Sequence, residues 1–344
     1  QEEFSMTYHN ILIVKLSAIG DVIHALPVSH ALRQCFPQAR ITWVVEKPAY
    51  DLLTNNPDID EIIIFDKPQF KSLAGLIRHA PPFITTLRQK QFDLALDLQG
   101  LLKSSLISFF SGAQRRLVYQ NAREGSRVIS ERVVGAYANG HVVDRYLDVV
   151  RALGCRVEKP VFPIRVTEQD ARSAQAILKQ AGAGGETPYV VLALGANWPN
   201  KIWPPEHFAA LADKLFVRQI IPVAVGGPGD RKLLDRLNQT AEIPPVDLIG
   251  KTSLKQLAYV IQQAAAFVGG DTGPMHLSAA LGTPTIALMG PTDVNRNGPL
   301  GQKNTALVAG RPCIGCWRRK CPKGLDCLAE ISVEDVYQAI KKLV

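Results

Sequence analysis

The segment from Asp271 to His276 places a carboxylate, a hydroxyl, a glycine and an imidazole within one short stretch. An apolar run, 267–270, precedes it, and a helical pattern follows it. A strand that turns directly into a helix leaves backbone N–H groups, and the positive end of the helix dipole, facing whatever binds there. The segment therefore predicts a site for an anion, which we assign to Asp271, Thr272, Gly273 and His276. For His276, a hydrogen bond within the loop is the competing interpretation.

A similar transition stands near the N-terminus, where the apolar run 11–16 leads through Asp21 into a helical pattern. The helix dipole keeps a carboxylate at such a position ionised, and an ionised carboxylate can act as a general base toward a hydroxyl group. Asp21 is therefore a candidate catalytic base. The alternative is that Asp21 only caps the helix, because aspartate is a preferred N-cap residue.

Two further loops carry groups suited to a nucleotide. After the strand pattern 189–194, small residues allow backbone N–H groups to approach a phosphate, and Lys201 supplies a mobile cation for a leaving diphosphate. Alternatively, Lys201 is a surface lysine beside a Trp-Pro turn. Asp230, in the next loop, could reach ribose hydroxyls, although Gly-Pro-Gly-Asp is also an ordinary turn and helix cap. The residues at the start of the first loop are Gly195, Ala196 and Asn197.

The elements that must position these groups alternate between short β-rich runs and helical patterns. Continuous apolar strands separated by helix-length connections indicate an α/β fold with parallel sheets covered on both faces. The predicted strands are 11–16, 41–46, 61–65, 94–98, 189–194, 221–225, 266–270 and 285–289. The turn after the first strand has one glycine instead of the three of a dinucleotide-binding fingerprint, which argues against a nicotinamide dehydrogenase.

A chain of 344 residues suits two domains. The Pro- and Gly-rich composition of 154–188 indicates a linker. We predict an N-terminal Rossmann-like domain at 6–165, a C-terminal Rossmann-like domain at 186–330 and a closing helix at 331–344. Doubly wound sheets bind ligands beyond the carboxyl ends of their strands, so we expect the active site in a cleft between the two domains.

The formal net charge of +8 is unevenly distributed. Between Asp66 and Asp93 there are five basic residues and no acidic one, and a second basic stretch covers 115–127. Such surfaces favour an acidic partner, although a solvated basic face is the simpler interpretation. No apolar run reaches the length of a membrane span. The short apolar run 11–14 is followed by Lys15 rather than by a cleavage-type sequence, so we expect a cytoplasmic protein whose six cysteines are free thiols. Residues 1–5 have the character of an expression-tag remnant.

Four of the cysteines, Cys313, Cys316, Cys321 and Cys327, are close together and interleaved with basic residues. Four thiolates could hold zinc in tetrahedral geometry, and the basic residues could suggest a nucleic-acid module. The spacing is irregular for a zinc ribbon, so we favour no bound metal, with reduced thiols or disulfides at these positions. Cys35 and Cys155 lie in apolar contexts typical of core residues.

Taken together, the motifs resemble those of the ADP-heptose lipopolysaccharide heptosyltransferases, which form glycosyltransferase family nine. The resemblance is carried by the segments 16–27, 97–104, 200–204, 271–276 and 290–293, which occur in this order over nearly the whole chain. The segment 97–104 is most similar to the heptosyltransferase I branch. The cysteine-rich tail is similar to heptosyltransferase II-like members instead, which leaves the acceptor step open.

The resemblance implies a GT-B fold, with two Rossmann-like doubly wound domains facing one another across a cleft. It implies an inverting transfer of heptose from ADP-heptose, bound to the C-terminal domain, to the Kdo of the lipopolysaccharide inner core. Asp21 would be the general base and Lys201 the diphosphate contact, with no cofactor required. Asp271, Thr272, Gly273 and His276 would line the nucleotide-sugar site, and Asp230 would contact the ribose. Residues facing the acceptor would be Gln99, Lys103 and Arg123.

The acceptor, Kdo-lipid A or inner-core lipopolysaccharide, carries carboxylates and phosphates that would match the basic runs. The enzyme would then work in the cytoplasm in peripheral contact with the anionic inner-membrane surface. The alternatives are a heptosyltransferase II-type enzyme, a transferase or epimerase of this fold that uses another nucleotide sugar, and a nucleic-acid-binding protein. We expect no nucleic-acid partner, because the motifs account for the basic runs.

Overall fold

The computed structural model describes residues 7–344, except the side chains of Ser126 and Arg127. The expected tag remnant at 1–5, and the first position of the predicted N-terminal domain, lie outside this range. The chain forms two compact units that divide between Arg165 and Val166. Within the described range, none of the helices combines the length and the apolar character needed to cross a bilayer.

The first unit contains six strands and six α-helices among its described residues. The strands are β1 (Asn10–Val14), β2 (Arg40–Val45), β3 (Glu61–Ile64), β4 (Leu94–Asp97), β5 (Arg115–Tyr119) and β6 (Glu131–Val133). The helices are α1 (Ile19–Cys35), α2 (Tyr50–Leu53), α3 (Leu73–Gln89), α4 (Leu102–Phe110), α5 (Ser126–Ile129) and α6 (Val142–Arg151). All strand pairs are parallel, and the order across the sheet is β3-β2-β1-β4-β5-β6.

The second unit has the same arrangement. Its strands are β7 (Tyr189–Ala193), β8 (Ile221–Val225), β9 (Val246–Asp247), β10 (Ala266–Gly270), β11 (Thr285–Met289) and β12 (Thr305–Val308). Its helices are α7 (Glu168–Ala181), α8 (Pro205–Val217), α9 (Arg231–Thr240), α10 (Leu254–Gln262), α11 (Gly273–Leu281), α12 (Val294–Asn297) and α13 (Val333–Lys341). The strand order is β12-β11-β10-β7-β8-β9, again with parallel pairing.

The strand order of each sheet reverses at its centre, between β1 and β4 in the first unit and between β7 and β10 in the second. Consecutive connections leave such a switch point toward opposite faces of the sheet, which opens a crevice at the carboxyl ends of the two strands. The loops that follow β4, β7 and β10 hold Gln99, Lys201 and Asp271, and the loop that follows β1 leads into the first turn of α1, which holds Asp21. The fold therefore places the candidate residues where a doubly wound sheet binds ligands.

The eight predicted strands are all present, three with the predicted bounds and five with ends shifted by one or two residues. Four strands were not predicted: β5, β6, β9 and β12. Strand β5 begins with Arg115 and Arg116, so its sequence has the pattern of a basic surface run rather than of a strand. Strand β9 has only two residues, which is too short for a recognisable pattern. The segment 154–188 contains α7, which packs on α10 of the second unit. The apolar spacing near the C-terminus does form a helix, α13.

The expectation of six free thiols is wrong for one pair. Cys35 and Cys155 form a disulfide bond that spans 120 positions of the chain. Cys35 ends α1 and Cys155 lies four residues beyond α6, and these two helices pack against each other. The packing of α1 on α6 therefore brings the two cysteines together. The residues around each cysteine in the sequence give no indication of this pairing. The other four cysteines are free.

Candidate active site

Asp97 organises the loop that follows β4 in the first unit. Its buried carboxylate accepts hydrogen bonds from the backbone N–H groups of Gln99 and Gly100, at 3.0 and 2.9 Å, and from the hydroxyls of Ser104 and Ser105. Burial raises the pKa of Asp97, and these hydrogen bonds act in the opposite direction. The carboxylate therefore holds the turn that presents Gln99 in one conformation.

Gln99 and Lys15 tie the two loops at the switch point together. The Oε1 atom of Gln99 accepts from the N–H groups of Leu16 and Ser17, at 3.1 and 3.2 Å. In return, Nζ of Lys15 donates to the carbonyl oxygen of Leu98 at 3.1 Å and to the hydroxyl of Tyr146 at 2.8 Å. Gln99, predicted to face the acceptor, thus has its side-chain oxygen committed to the loop that leads to Asp21.

Asp21 is the third residue of α1, and Ala18 occupies the N-cap position. The Oδ2 atom of Asp21 accepts from the N–H of Ala18 at 3.2 Å, and the side chain is half-buried. Asp21 is therefore not the N-cap residue itself, but its carboxylate does cap the first turn of α1, as the capping interpretation expects. A carboxylate with one weak backbone partner retains lone pairs that could accept a proton.

The predicted acceptor residues Lys103 and Arg123 lie beside the same loops. Nζ of Lys103 forms an ion pair with Oε1 of Glu46 at 2.7 Å, and the N–H of Arg123 donates to the carbonyl oxygen of Gly100 at 2.8 Å. The side chain of Arg123 is exposed. Both cations therefore flank the loop that carries Gln99.

Arg115 and Arg116, the first two arginines of the second basic stretch, do not form the free cationic surface that the sequence suggests. Arg115 pairs with Glu131 and donates to the hydroxyl of Tyr8, and Arg116 donates to two backbone carbonyl oxygens. These arginines connect β5 to its surroundings within the first unit. The positive charges of Arg115 and Arg116 are therefore largely satisfied by partners within the fold.

Asp271 is the centre of the site in the second unit. Its carboxylate, 3% exposed, lies 2.6 Å from Nζ of Lys201, 2.8 Å from Nε2 of His276 and 2.6 Å from Oγ1 of Thr292. Burial acts to raise the pKa of this carboxyl, but the contacts with His276 and Lys201 outweigh it and hold the pKa well below its ordinary value. Asp271 is therefore ionised, and it positions three side chains from three loops.

Lys201 is 13% exposed, so the interpretation as a surface lysine is wrong. Its ammonium group also lies 3.3 Å from the carbonyl oxygen of Asp271 and 4.5 Å from the ring centroid of Trp198. Close packing accompanies this contact: a Cβ atom added to Gly270 would lie 2.2 Å from the carbonyl oxygen of Lys201. A glycine is needed at the end of β10 for the two loops to approach.

The N-terminus of α11 has no side-chain cap. Thr272 is the N-cap residue, but its side chain makes no capping hydrogen bond, and its buried Oγ1 has no hydrogen-bond partner among residues 7–344. Gly273 is the first residue of the helix, and the ring of His276, one turn on, is bonded to Asp271. The hydrogen bond within the loop that we considered for His276 is thus present in the structure.

Asp230 lies against the loop that follows β7. Its Oδ2 atom accepts from the N–H of Gly227 at 2.8 Å. A Cβ atom added to Gly195 would lie 1.9 Å from Oδ1 of Asp230, so only glycine fits there. The predicted nucleotide residues Gly195 and Asp230 are therefore neighbours, and Ala196 and Asn197 follow directly along the same loop.

Several residues of these sites did not appear among the predicted ones, including Asp97, Lys15, Tyr146 and Thr292. Lys15 is a lysine immediately after four apolar strand residues, and only 2% of it is exposed. Thr292 follows β11 as Asp271 follows β10. For Lys15 and Thr292, the sequence feature that could have identified them as site residues is their position just after a strand of the sheet. Tyr146 has no such signal, because its role depends on how α6 packs.

The cysteine segment, residues 313–327, carries the four free thiols. Hydrogen bonds from the backbone N–H groups of Leu325 and Lys323 lower the pKa of Cys321, whereas burial raises the pKa of Cys327. Across the described part of the chain, no three His, Cys, Asp or Glu side chains are grouped to hold a metal ion. The zinc interpretation thus has no geometric support among these residues.

Comparison with known proteins finds a family and solved structures with this architecture. The sequence profile of Glycosyltransferase family 9 (heptosyltransferase) matches residues 82–325. Lipopolysaccharide heptosyltransferase 1 of Pseudomonas aeruginosa is 30% identical, over 90% of this chain and 87% of that protein. A glycosyl transferase family 9 structure from Veillonella parvula has a TM-score of 0.87 at 24% identity and covers 98% of both chains. The structure of E. coli heptosyltransferase WaaC with ADP has a TM-score of 0.77 at 25% identity, over 97% of this chain and all of that one.

Proposed function

The chain belongs to glycosyltransferase family 9, and from that premise we propose that it transfers heptose from ADP-heptose to the inner core of lipopolysaccharide. It is a glycosyltransferase with the GT-B fold. The observation that carries the proposal is the cluster of Lys201, Thr292 and the first turn of α11 around the buried Asp271. An ammonium group beside a free helix N-terminus is suited to a diphosphate.

The donor is assigned to the second unit. Its diphosphate would lie on the N–H groups at the start of α11, beside Lys201, and its ribose beside Asp230. The WaaC structure, whose ligand is ADP, supports a nucleotide with this base and a diphosphate. We propose that Gly195, Ala196, Asn197, Thr272 and Gly273 provide the backbone surface. Asp271 then acts as a positioning residue for Lys201, since its own oxygens are already engaged.

The acceptor is assigned to the first unit, near Gln99, Lys103 and Arg123. In the proposed step, the acceptor hydroxyl oxygen forms a bond to the anomeric carbon of heptose while the bond from that carbon to the diphosphate breaks. The carboxylate of Asp21 takes the hydroxyl proton, and ADP leaves with the bonding electron pair. Lys201 and the α11 amides stabilise the new negative charge. The configuration at the anomeric carbon is inverted, because attack and departure occur on opposite faces.

We further propose that the first unit works in contact with an anionic membrane surface, in the cytoplasm. The beginning of α3 exposes three aliphatic side chains on one helix face: Leu73 at 75%, Leu76 at 44% and Ile77 at 69%. Lys67, Lys71 and Arg78 lie beside them and are also exposed. Aliphatic side chains with flanking cations are typical of a surface that enters the headgroup region of anionic lipids. The acceptor, as a lipid, would be found there.

The decisive experiment incubates the protein with ADP-heptose and Kdo-lipid A and measures ADP release and acceptor mass together. Release of ADP with an acceptor heavier by one heptose is the expected result. A parallel incubation uses an acceptor that already carries one heptose, which tests the heptosyltransferase II-type alternative. Selective binding of UDP or GDP over ADP, with no mass change in either acceptor, would contradict the proposal and favour another nucleotide-sugar enzyme of this fold.

A further inference from the structure

The cysteine segment folds onto the loops proposed to bind the donor. The N–H groups of Gly315 and Trp317 donate to the carbonyl oxygens of Gly290 and Pro291, at 3.1 and 2.8 Å. Both residues have positive φ angles, +72° and +56°, which turn the segment sharply at this contact. Gly290 and Pro291 immediately precede Thr292, one of the partners of Asp271. The segment is therefore attached to the loop after β11.

Two further hydrogen bonds attach the segment to the loop after β7. Nδ2 of the buried Asn200 donates to the carbonyl oxygen of Arg318 at 2.7 Å. Nη2 of Arg319 donates to the carbonyl oxygen of Asn197 at 3.3 Å. The main chain of Arg318 and the side chain of Arg319 thus contact the same loop that carries Lys201.

The residues around Lys201 carry too little net positive charge to neutralise a diphosphate, so a second cation is needed. Lys201 is the cation we assign to the diphosphate, but its charge is balanced by the carboxylate of Asp271 at 2.6 Å. A donor diphosphate brings about two negative charges, because each of its two phosphates is ionised at neutral pH. The guanidinium of Arg319 has five N–H donors and uses one for Asn197, and the side chain is exposed on the donor loop. Guanidinium groups bind phosphate oxygens in bidentate geometry.

We propose that Arg319 is a second cation of the donor site and binds the diphosphate, and that the cysteine segment holds it beside the loop that carries Lys201. This inference rests on the proposed function, because it assumes that a nucleoside diphosphate binds beside Lys201. It assigns a role to a segment that the motif resemblance leaves without one. Arg318 contacts the donor loop through its carbonyl oxygen, which a side-chain substitution leaves in place, so Arg318 serves as the control position.

The test compares Arg319→Ala with Arg318→Ala, measuring the dissociation constants of ADP and adenosine by calorimetry. A charge-assisted hydrogen bond contributes about 1.5–3 kcal/mol, so Arg319→Ala should weaken ADP binding by about 10- to 150-fold. Adenosine has no phosphate, and its binding should change less than about 2-fold. Arg318→Ala should bind both ligands as the wild type does. Arg319→Lys should recover part of the loss, because it keeps the charge but not the fork.

Each other outcome has a defined meaning. Equal weakening of ADP and adenosine binding would show that Arg319 only holds the loop, and it would overturn the proposal. Unchanged ADP binding in Arg319→Ala would also overturn it, while leaving the proposed function intact. Failure of the wild type to bind ADP at all would contradict the proposed function itself. Thermal unfolding of each variant shows whether it is folded, and Arg319→Gln provides a second neutral substitution if alanine is not tolerated.

Discussion

Lys201 and Asp271 are 70 positions apart in the chain, and their side chains lie 2.6 Å apart. They belong to the loops after β7 and β10, the two strands at the switch point of the second sheet. Both side chains are mostly buried, so the ion pair is little screened by water. The ion pair therefore joins the two loops and fixes the position of the ammonium group before a ligand binds.

Replacing Asp271 with asparagine should destabilise the second unit. The substitution leaves the ammonium of Lys201 buried without its counter-ion, and breaking a buried pair in this way costs about 3–5 kcal/mol. Urea unfolding at pH 7 measures the change in the free energy of unfolding. The matched control is Arg236→Gln, which removes the exposed ion pair with Glu206 in the same unit and should cost less than about 1 kcal/mol. Equal costs for the two variants would contradict the role assigned to the buried pair.

The contribution of Asp271 to stability should disappear in acid. Its pKa in the folded protein lies well below the ordinary value of about 3.9, so the folded state favours the ionised form. A depressed pKa adds stability above about pH 4, and this stability is lost as the pH falls through the folded pKa. The difference in unfolding free energy between wild type and Asp271→Asn should therefore shrink as the pH falls below about 4. A difference that stays constant down to pH 3 would show that the carboxylate charge is not its source.

The sequence predicted the strands of both sheet centres because these are continuous apolar runs bounded by loop residues. It missed β5, whose first residues are Arg115 and Arg116, because a charged strand at this place is stabilised by partners that are distant in sequence, such as Glu131. The disulfide between Cys35 and Cys155 was missed for the same reason, since it depends on the packing of α1 on α6. Local patterns report burial and periodicity, and they contain no information on pairing over long separations.

The candidate site was predictable where a residue follows a central strand. Lys201 and Asp271 meet this condition, and Asp21 lies in the helix that follows β1. Lys15 also follows a central strand, but a lysine is normally exposed, so its residue type gives no sign of a buried role. The specific partners were not predictable. The sequence offered a hydrogen bond within the loop for His276, but it could not indicate that Asp271 also contacts Lys201 and Thr292, which lie on other loops.

Replacing Asp21 with asparagine tests the general base. The amide is nearly isosteric but cannot accept the hydroxyl proton, and loss of a general base lowers turnover by about 100-fold or more. ADP binding should remain within about 2-fold of wild type, because Asp21 belongs to the unit to which we assign the acceptor. Steady-state turnover and calorimetry measure the two quantities. Near-normal turnover in Asp21→Asn would contradict the assignment.

The exposed face of α3 should bind anionic vesicles. Co-sedimentation with vesicles of phosphatidylglycerol and phosphatidylcholine should retain the wild type, whereas pure phosphatidylcholine should not, because the flanking cations need a negative surface. The double variant Leu73→Ser, Ile77→Ser should bind about 10-fold more weakly, since two aliphatic side chains no longer enter the bilayer. The control is Val217→Ser, an equally exposed valine at the end of α8. If this control loses as much binding as the double variant, the α3 face is not the contact surface.

Replacing Lys15 should lower both the free energy of unfolding and the turnover, because Lys15 holds the loop that leads to Asp21. Lys15→Met keeps the length of the side chain but leaves the carbonyl oxygen of Leu98 and the hydroxyl of Tyr146 without their buried donor, at a cost of about 1–3 kcal/mol. Tyr146→Phe removes only the second contact, so its cost should be smaller. Because Lys15 ties the loop after β4 to the loop before α1, Lys15→Met should lower turnover more than Tyr146→Phe at equal ADP affinity. Urea unfolding and steady-state kinetics separate the two effects, and a variant that loses stability with unchanged turnover would show that Lys15 is structural only.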